Sequence, residues 1–123
     1  MLKIELDESS GIVTLQPDGE ISEHDFKQVS TIVNPYLENH NELKGLIIHV
    51  KSFPGWDSFS SMIEHVKFVK DHQKRIRRIA IVTDSPIGEI AEKVASHFVS
   101  AEIKKFHFDE LEKSKSWLLS NDI

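Results

Sequence analysis

Histidines and carboxylates are the side chains of this sequence that could perform catalysis or bind a metal, and their spacing argues against both. His65 and His72 are seven residues apart, about 10 Å along a helix, which is too far for one ion. Asp109 and Glu110 are adjacent rather than convergent, and the absence of cysteine excludes a thiol nucleophile. Because no nucleophile, base and orienting group can be assembled, we predict a protein that is not an enzyme and that uses neither a metal nor another cofactor.

Two large aromatic residues fall in a loop where a ligand could bind. Phe53 and Trp56 follow a predicted strand, and ligands of open α/β sheets gather at the carboxyl ends of the strands. These rings either close the core at that edge or present an apolar surface to a ligand or partner. The second alternative predicts a site formed by the segments that follow two neighbouring strands: Phe53, Trp56, Asp57, Ser58, Asp84, Ser85 and Pro86.

Ser58 is the candidate phosphorylation site. A phosphate there would be stabilised by the backbone amides of the helix that is predicted to begin at this point, so the position suits a regulatory switch. The alternative is that Asp57 or Ser58 only caps that helix.

The outer face of the same predicted helix carries His65, Phe68 and His72, opposite its apolar stripe. A single exposed phenylalanine requires no function. Phe68 would, however, be buried by a self-complementary contact between two copies, and we predict a homodimer or another protein partner on this surface.

Positive charge is concentrated between residues 65 and 78, which carry +5, whereas the rest of the chain carries −10. The net charge of −5 argues against a nucleic-acid partner. The segment either offsets the macrodipole at a helix C-terminus or contacts an anionic membrane surface or an acidic protein. The residues available for that contact are Lys67, Lys70, Lys74, Arg75, Arg77 and Arg78.

Alternating patterns of period 2 and period 3.6 predict the elements that would position these residues. The predicted strands cover residues 2–7, 12–15, 46–50, 79–82 and 103–108. The apolar stripes of the predicted helices run over residues 26–37, 59–69, 87–98 and 111–118. The resulting order, β-β-α-β-α-β-α-β-α, predicts an α/β fold with four helices and a mainly parallel five-stranded sheet that has an antiparallel edge.

Length and composition predict a single domain over residues 1–123. Hydrophobic residues make up 39% of the 123 positions and charged residues 28%, which is typical of a soluble globular protein. Neither a signal peptide nor a membrane-spanning run is recognisable, so we expect a cytoplasmic protein that is at most peripheral at the membrane.

The order and spacing of several short segments resemble the bacterial SpoIIAA-like family over residues 1–119. The segments are Gly55-Trp56, Lys67-Phe68 with His72, Arg78-Ile79-Ala80-Ile81-Val82 with Asp84, Ala101-Glu102-Ile103-Lys104-Lys105-Phe106, and Trp117-Leu118.

The resemblance implies a STAS-like fold, similar to anti-sigma-factor antagonists and to lipid-carrying CRAL-TRIO domains. It implies a non-enzymatic module that binds an apolar ligand or lipid or associates with membranes. The alternative that it implies is a regulatory protein-interaction module, controlled by phosphorylation as the antagonists are. The antagonists carry an Asp-Ser-Ser-Gly stretch, and here Asp57-Ser58 retains its first two residues without the glycine.

Overall fold

The computed structural model of the protein describes residues 2–18, 23–40, 42–51, 76–85 and 101–120. These residues form five strands and two helices. The elements are β1 (Leu2–Asp7), β2 (Ile12–Pro17), α1 (Glu23–Asn39), β3 (Gly45–His49), β4 (Arg78–Val82), β5 (Glu102–Phe106) and α2 (Leu111–Leu119). Two of the four predicted helices are thus observed, whereas the two predicted after β3 and after β4 fall on residues 52–75 and 86–100, outside the described ranges.

The strands form one sheet in the order β1-β2-β3-β4-β5. β1 is antiparallel to β2, and each later strand is parallel to the one before it. The α/β fold with a mixed sheet and an antiparallel edge is therefore confirmed. β5 is shorter than predicted, because the chain turns at Phe108 after the strand has ended at Phe106.

The β1–β2 hairpin is closed by a glycine in a left-handed conformation. Gly11 has a φ of 74°, and its N–H donates to the Asp7 carbonyl at 2.8 Å. The Asp7 carboxylate accepts hydrogen bonds from the backbone and the hydroxyl of Ser9, and these bonds lower the pKa of Asp7 below its ordinary value. The turn is thus held by local hydrogen bonds within residues 7–11.

Alternate residues of β2, β3 and β4 belong to two separate apolar cores, one on each face of the sheet. Val13, Leu46 and Ile79 lie on the face covered by α1, together with the stripe Val29, Val33, Tyr36 and Leu37 of that helix. The other face carries a smaller core under α2, composed of Ile12, Ile47, Ala80, Val82, Phe106 and Leu118. Because both faces are covered, residues 46–48 of β3 and 79–82 of β4 are continuous apolar runs rather than alternating ones.

A second glycine allows α2 to approach the sheet. A Cβ atom at Gly45 would lie 2.7 Å from both terminal carbons of Leu118, well inside van der Waals contact. Leu118, which is 3% exposed, therefore fills the space that a side chain at Gly45 would occupy.

Gly11→Ala should lower the free energy of unfolding by more than the backbone strain alone. The left-handed conformation costs alanine about 1–2 kcal/mol, and the new Cβ would also lie 2.7 Å from the Tyr36 hydroxyl oxygen. Urea denaturation of Gly11→Ala in the wild-type and Tyr36→Phe backgrounds separates the two costs. The loss should be smaller in the Tyr36→Phe background, and an equal loss in both would show that the hydroxyl contact is unimportant.

Candidate functional site

The carboxyl ends of β3, β4 and β5 meet at one edge of the sheet. The Val50 N–H donates to the Val82 carbonyl at 3.1 Å, the Thr83 N–H to Phe106 at 3.0 Å and the Asp84 N–H to Lys51 at 3.1 Å. We call the residues beyond these strand ends the carboxyl edge; it comprises Lys51 and residues 83–85 and 107–110. The described parts of the segments after β3 and β4, which the sequence predicted to form one site, meet here together with the segment after β5.

Thr83 anchors the chain as it leaves β4. Its side chain is fully buried, and the hydroxyl donates to the Lys51 carbonyl at 3.2 Å while accepting the Ser85 N–H at 3.1 Å. The hydroxyl therefore satisfies one backbone group of the segment after β3 and one of its own segment, and it fixes the position of Ser85, which is half-buried.

Asp84 connects β4 with the segment after β5. One of its carboxylate oxygens accepts the Phe108 N–H at 3.1 Å, although the residue is exposed. Asp84 and Ser85 were predicted to bind a ligand or partner, and both lie at the carboxyl edge. Asp84 holds two of its segments together, and its exposed carboxylate stays accessible from solvent, whereas Ser85 bonds to Thr83 within its own segment.

His49 joins β2, β3 and the segment after β5. Its Nε2 lies 3.2 Å from the Phe108 carbonyl oxygen and its Nδ1 lies 3.2 Å from the Gln16 amide nitrogen. The carbonyl requires a proton on Nε2, and the amide donor requires a lone pair on Nδ1, so this arrangement fits the neutral ring. The imidazole also stacks on the Phe108 ring, with 4.5 Å between ring centroids. His49 is thus a structural residue with both ring nitrogens occupied.

Glu110 closes the turn between β5 and α2. One carboxylate oxygen accepts the His107 N–H at 2.8 Å, which is the main reason that the pKa of Glu110 lies below its ordinary value. The other oxygen accepts from the Lys113 ammonium at 3.3 Å. The negative charge also precedes the first turn of α2, where it interacts favourably with the helix dipole.

Arg78 corrects one prediction from the sequence, because its position excludes the expected contact with an anionic surface. The residue is 4% exposed, and its guanidinium donates to the Trp117 carbonyl at 2.6 Å, to the Ser120 carbonyl at 3.1 Å and to the Ser120 hydroxyl at 2.9 Å. It also pairs with Glu102 at 3.2 Å and lies 5.1 Å from the centroid of the Trp117 ring. Arg78 therefore fastens the end of α2 to β4, whereas its neighbour Arg77 is exposed.

The other predicted site residues lie outside the described ranges. They are Phe53, Trp56, Asp57, Ser58 and Pro86 of the binding site, His65, Phe68 and His72 of the dimer surface, and Lys67, Lys70, Lys74 and Arg75 of the basic segment.

Sequence reasoning missed the bonding roles of Thr83, Gln16 and Phe108. The only sequence signal for Thr83 is its place directly after an apolar strand, where a hydroxyl commonly bonds to nearby backbone. Nothing local indicates that Gln16 and Phe108 meet at His49, because their contact depends on the order of the strands.

The five-stranded sheet and its two helices fit an α/β domain of the STAS-like class. The SpoIIAA-like family model matches residues 12–119, and the chain belongs to this family, which supports a regulatory or binding module. Comparison with curated proteins and with solved structures found no match. None of the helices in the described ranges is long and apolar enough to cross a membrane.

Arg78→Met should destabilise the fold, because it leaves the carbonyls at the end of α2 without their buried donor. Loss of one partner from such a buried charged network costs about 2–4 kcal/mol. Arg77→Met is the matched control and should change stability by less than about 0.5 kcal/mol. Urea denaturation of both variants measures the difference. Equal, small effects would mean that the guanidinium does not hold α2 in place.

Proposed function

We propose that the protein is a non-enzymatic module that binds an apolar small molecule or a lipid at the carboxyl edge of its sheet. The observation that carries the proposal is that Thr83, Asp84 and His49 hydrogen-bond to the backbone or to side chains of neighbouring segments. Such bonds make a firm frame around the edge, which is what a binding site on an open sheet needs.

The same bonds count against catalysis by the polar residues of this edge. The Thr83 hydroxyl proton is directed at the Lys51 carbonyl, so the oxygen is not activated by a base. His49 offers its Nε2 proton to a carbonyl and accepts from an amide at Nδ1. A general base needs a lone pair that reaches the substrate, and neither ring nitrogen supplies one here.

Apolar contact area would come from the aromatic residues that follow Lys51 in the sequence. Phe53 is two residues beyond Lys51, so covalent connectivity alone keeps their Cα atoms within about 7 Å. Trp56 is five residues beyond it. Lys51 is exposed, and its ammonium could pair with the acidic headgroup of a lipid whose apolar part contacts the two rings.

Trp56→Ala and Phe53→Ala should weaken binding of an apolar fluorescent probe such as anilinonaphthalene sulfonate by at least about tenfold, because buried aromatic anchors dominate such sites. Their free energy of unfolding should change by less than about 0.5 kcal/mol. Ile32→Ala is the control, since it removes an apolar side chain that is 37% exposed on α1. A loss of about 3–5 kcal/mol in stability would instead give the rings a core role.

Phosphorylation control of the anti-sigma-factor-antagonist type is the second candidate function. Family membership and the Asp57-Ser58 pair after β3 favour it. Native mass spectrometry of the purified protein distinguishes the two functions, because a bound apolar molecule is released on unfolding whereas a phosphate on Ser58 stays attached and disappears in Ser58→Ala.

Membrane association is tested separately through the basic segment, without the buried Arg78. Each lysine near an anionic surface contributes about 1 kcal/mol. Reversing Lys67, Lys70 and Lys74 to glutamate should therefore lower binding to anionic vesicles by at least about 100-fold. Reversal of Lys27, Lys44 and Lys105, which are exposed elsewhere, is the matched control. Co-sedimentation that is equal for anionic and neutral vesicles, or unchanged in high salt, would contradict an electrostatic contact.

A further inference from the structure

β1 offers an edge to which another strand can add. It is an outer strand of the sheet, and within the described ranges no strand pairs with its far side. Its six residues contain no proline, and they pair with β2 in an uninterrupted register from Leu2↔Pro17 to Asp7↔Ile12. A regular outer strand of this kind presents a row of backbone donors and acceptors to a partner.

The side chains of β1 are divided between the two faces of the sheet. Ile4 and Leu6 pack against the core under α1 and are half-buried. Lys3 and Glu5 lie on the opposite face and are exposed, and neither forms an ion pair with another described residue. Asp7, on the same face, is already bonded to Ser9.

We propose that two copies of the chain pair through antiparallel β1 strands, related by a two-fold axis at Ile4. In this register Lys3 of each copy lies opposite Glu5 of the other, and Leu2 lies opposite Leu6. The two exposed charges that lack a partner within the described residues thus neutralise each other across the axis. The occupant of this edge is a second copy because the complementary charges are both on β1.

The neighbouring registers are less favourable. Shifting the axis to Glu5 places two glutamates opposite each other, and shifting it to Lys3 does the same with two lysines, which is destabilising. An axis placed midway between Ile4 and either neighbouring residue would put apolar residues of one copy opposite charged residues of the other. Only the register centred on Ile4 makes every described charge pair attractive.

The other outer strand is less suited to self-pairing. In β5, Glu102 is engaged with Arg78, and Lys104 lies 5.8 Å from the centroid of the Trp117 ring and 5.3 Å from that of Phe106. Lys105 is also exposed on this strand. Two of the five β5 residues are lysines, which discourage edge-to-edge contact, whereas the one lysine of β1 can be matched by Glu5.

The proposed axis is perpendicular to the sheet, so the two sheets would join into one of ten strands with both α1 helices on the same side. The carboxyl edges of the two copies would point in opposite directions, because the β1 strands are antiparallel. Dimerisation would therefore leave both carboxyl edges open and make the assembly bivalent.

Charge reversal tests this pairing by sedimentation velocity. The wild-type protein should dimerise, whereas Lys3→Glu and Glu5→Lys should each weaken the dimer by at least about tenfold because they create like-charge pairs. An equimolar mixture of the two variants should form a heterodimer, since every Lys then faces a Glu. The double variant Lys3→Glu/Glu5→Lys should also dimerise. Circular dichroism checks that each variant is folded. We expect folding to be retained, because Lys3 and Glu5 are both exposed.

A cysteine at the axis tests the register. The chain has no cysteine, so Ile4→Cys provides a single thiol, which should form an inter-chain disulfide under mild oxidation much faster than Lys27→Cys on α1. A wild-type protein that stays monomeric at every concentration, or a dimer that survives both single reversals, would overturn the proposal. A dimer dissociated by Phe68→Glu but not by Lys3→Glu would likewise overturn it in favour of the outer helix face.

Discussion

The interior strands β3 and β4 are covered on both faces of the sheet, and this constraint governs where the polar groups near them can lie. All five residues of β4 are buried, including the charged Arg78 at its start. A guanidinium in such a place is costly unless oxygen atoms surround it. Those oxygens lie at the end of α2, where the negative end of the helix dipole is found and where the Trp117 carbonyl also accepts from the N–H and the hydroxyl of Ser120. The buried guanidinium of Arg78 thus fixes the position of the C-terminal end of α2.

The same constraint acts at the opposite end of the strands. Thr83 is fully buried directly after β4, and its hydroxyl serves two backbone groups at once. His49 fills both of its hydrogen-bonding positions in the same region. Because the protein itself satisfies Thr83 and His49, these residues are better suited to framing a ligand site than to transferring protons. This is the physical basis of the proposed binding function.

The two outer strands of the sheet, β1 and β5, differ in the contacts that their charged side chains make. β5 is tied to Arg78 and Trp117 through Glu102 and Lys104, so two of its three charged residues already have partners within the protein. β1 has its apolar residues turned toward the α1 core and two opposite charges left on the other face. The proposed dimer follows from this difference, because an outer strand with complementary charges can pair with the same strand of a second copy.

The sequence by itself determined the strand and helix patterns that were observed, the β1–β2 hairpin and the mainly parallel sheet. These depend on periodicity and turn residues, which act over a few neighbouring positions. The convergence of the segments after β3, β4 and β5 could also be predicted, since it follows from strand direction. The tertiary structure alone decided that Arg78 is buried while Arg77 is exposed, although both belong to the same basic run. It also decided that His49 bonds to Gln16 and Phe108. The reason is that these contacts join residues 33 and 59 positions apart, through a strand order and register that no local pattern contains.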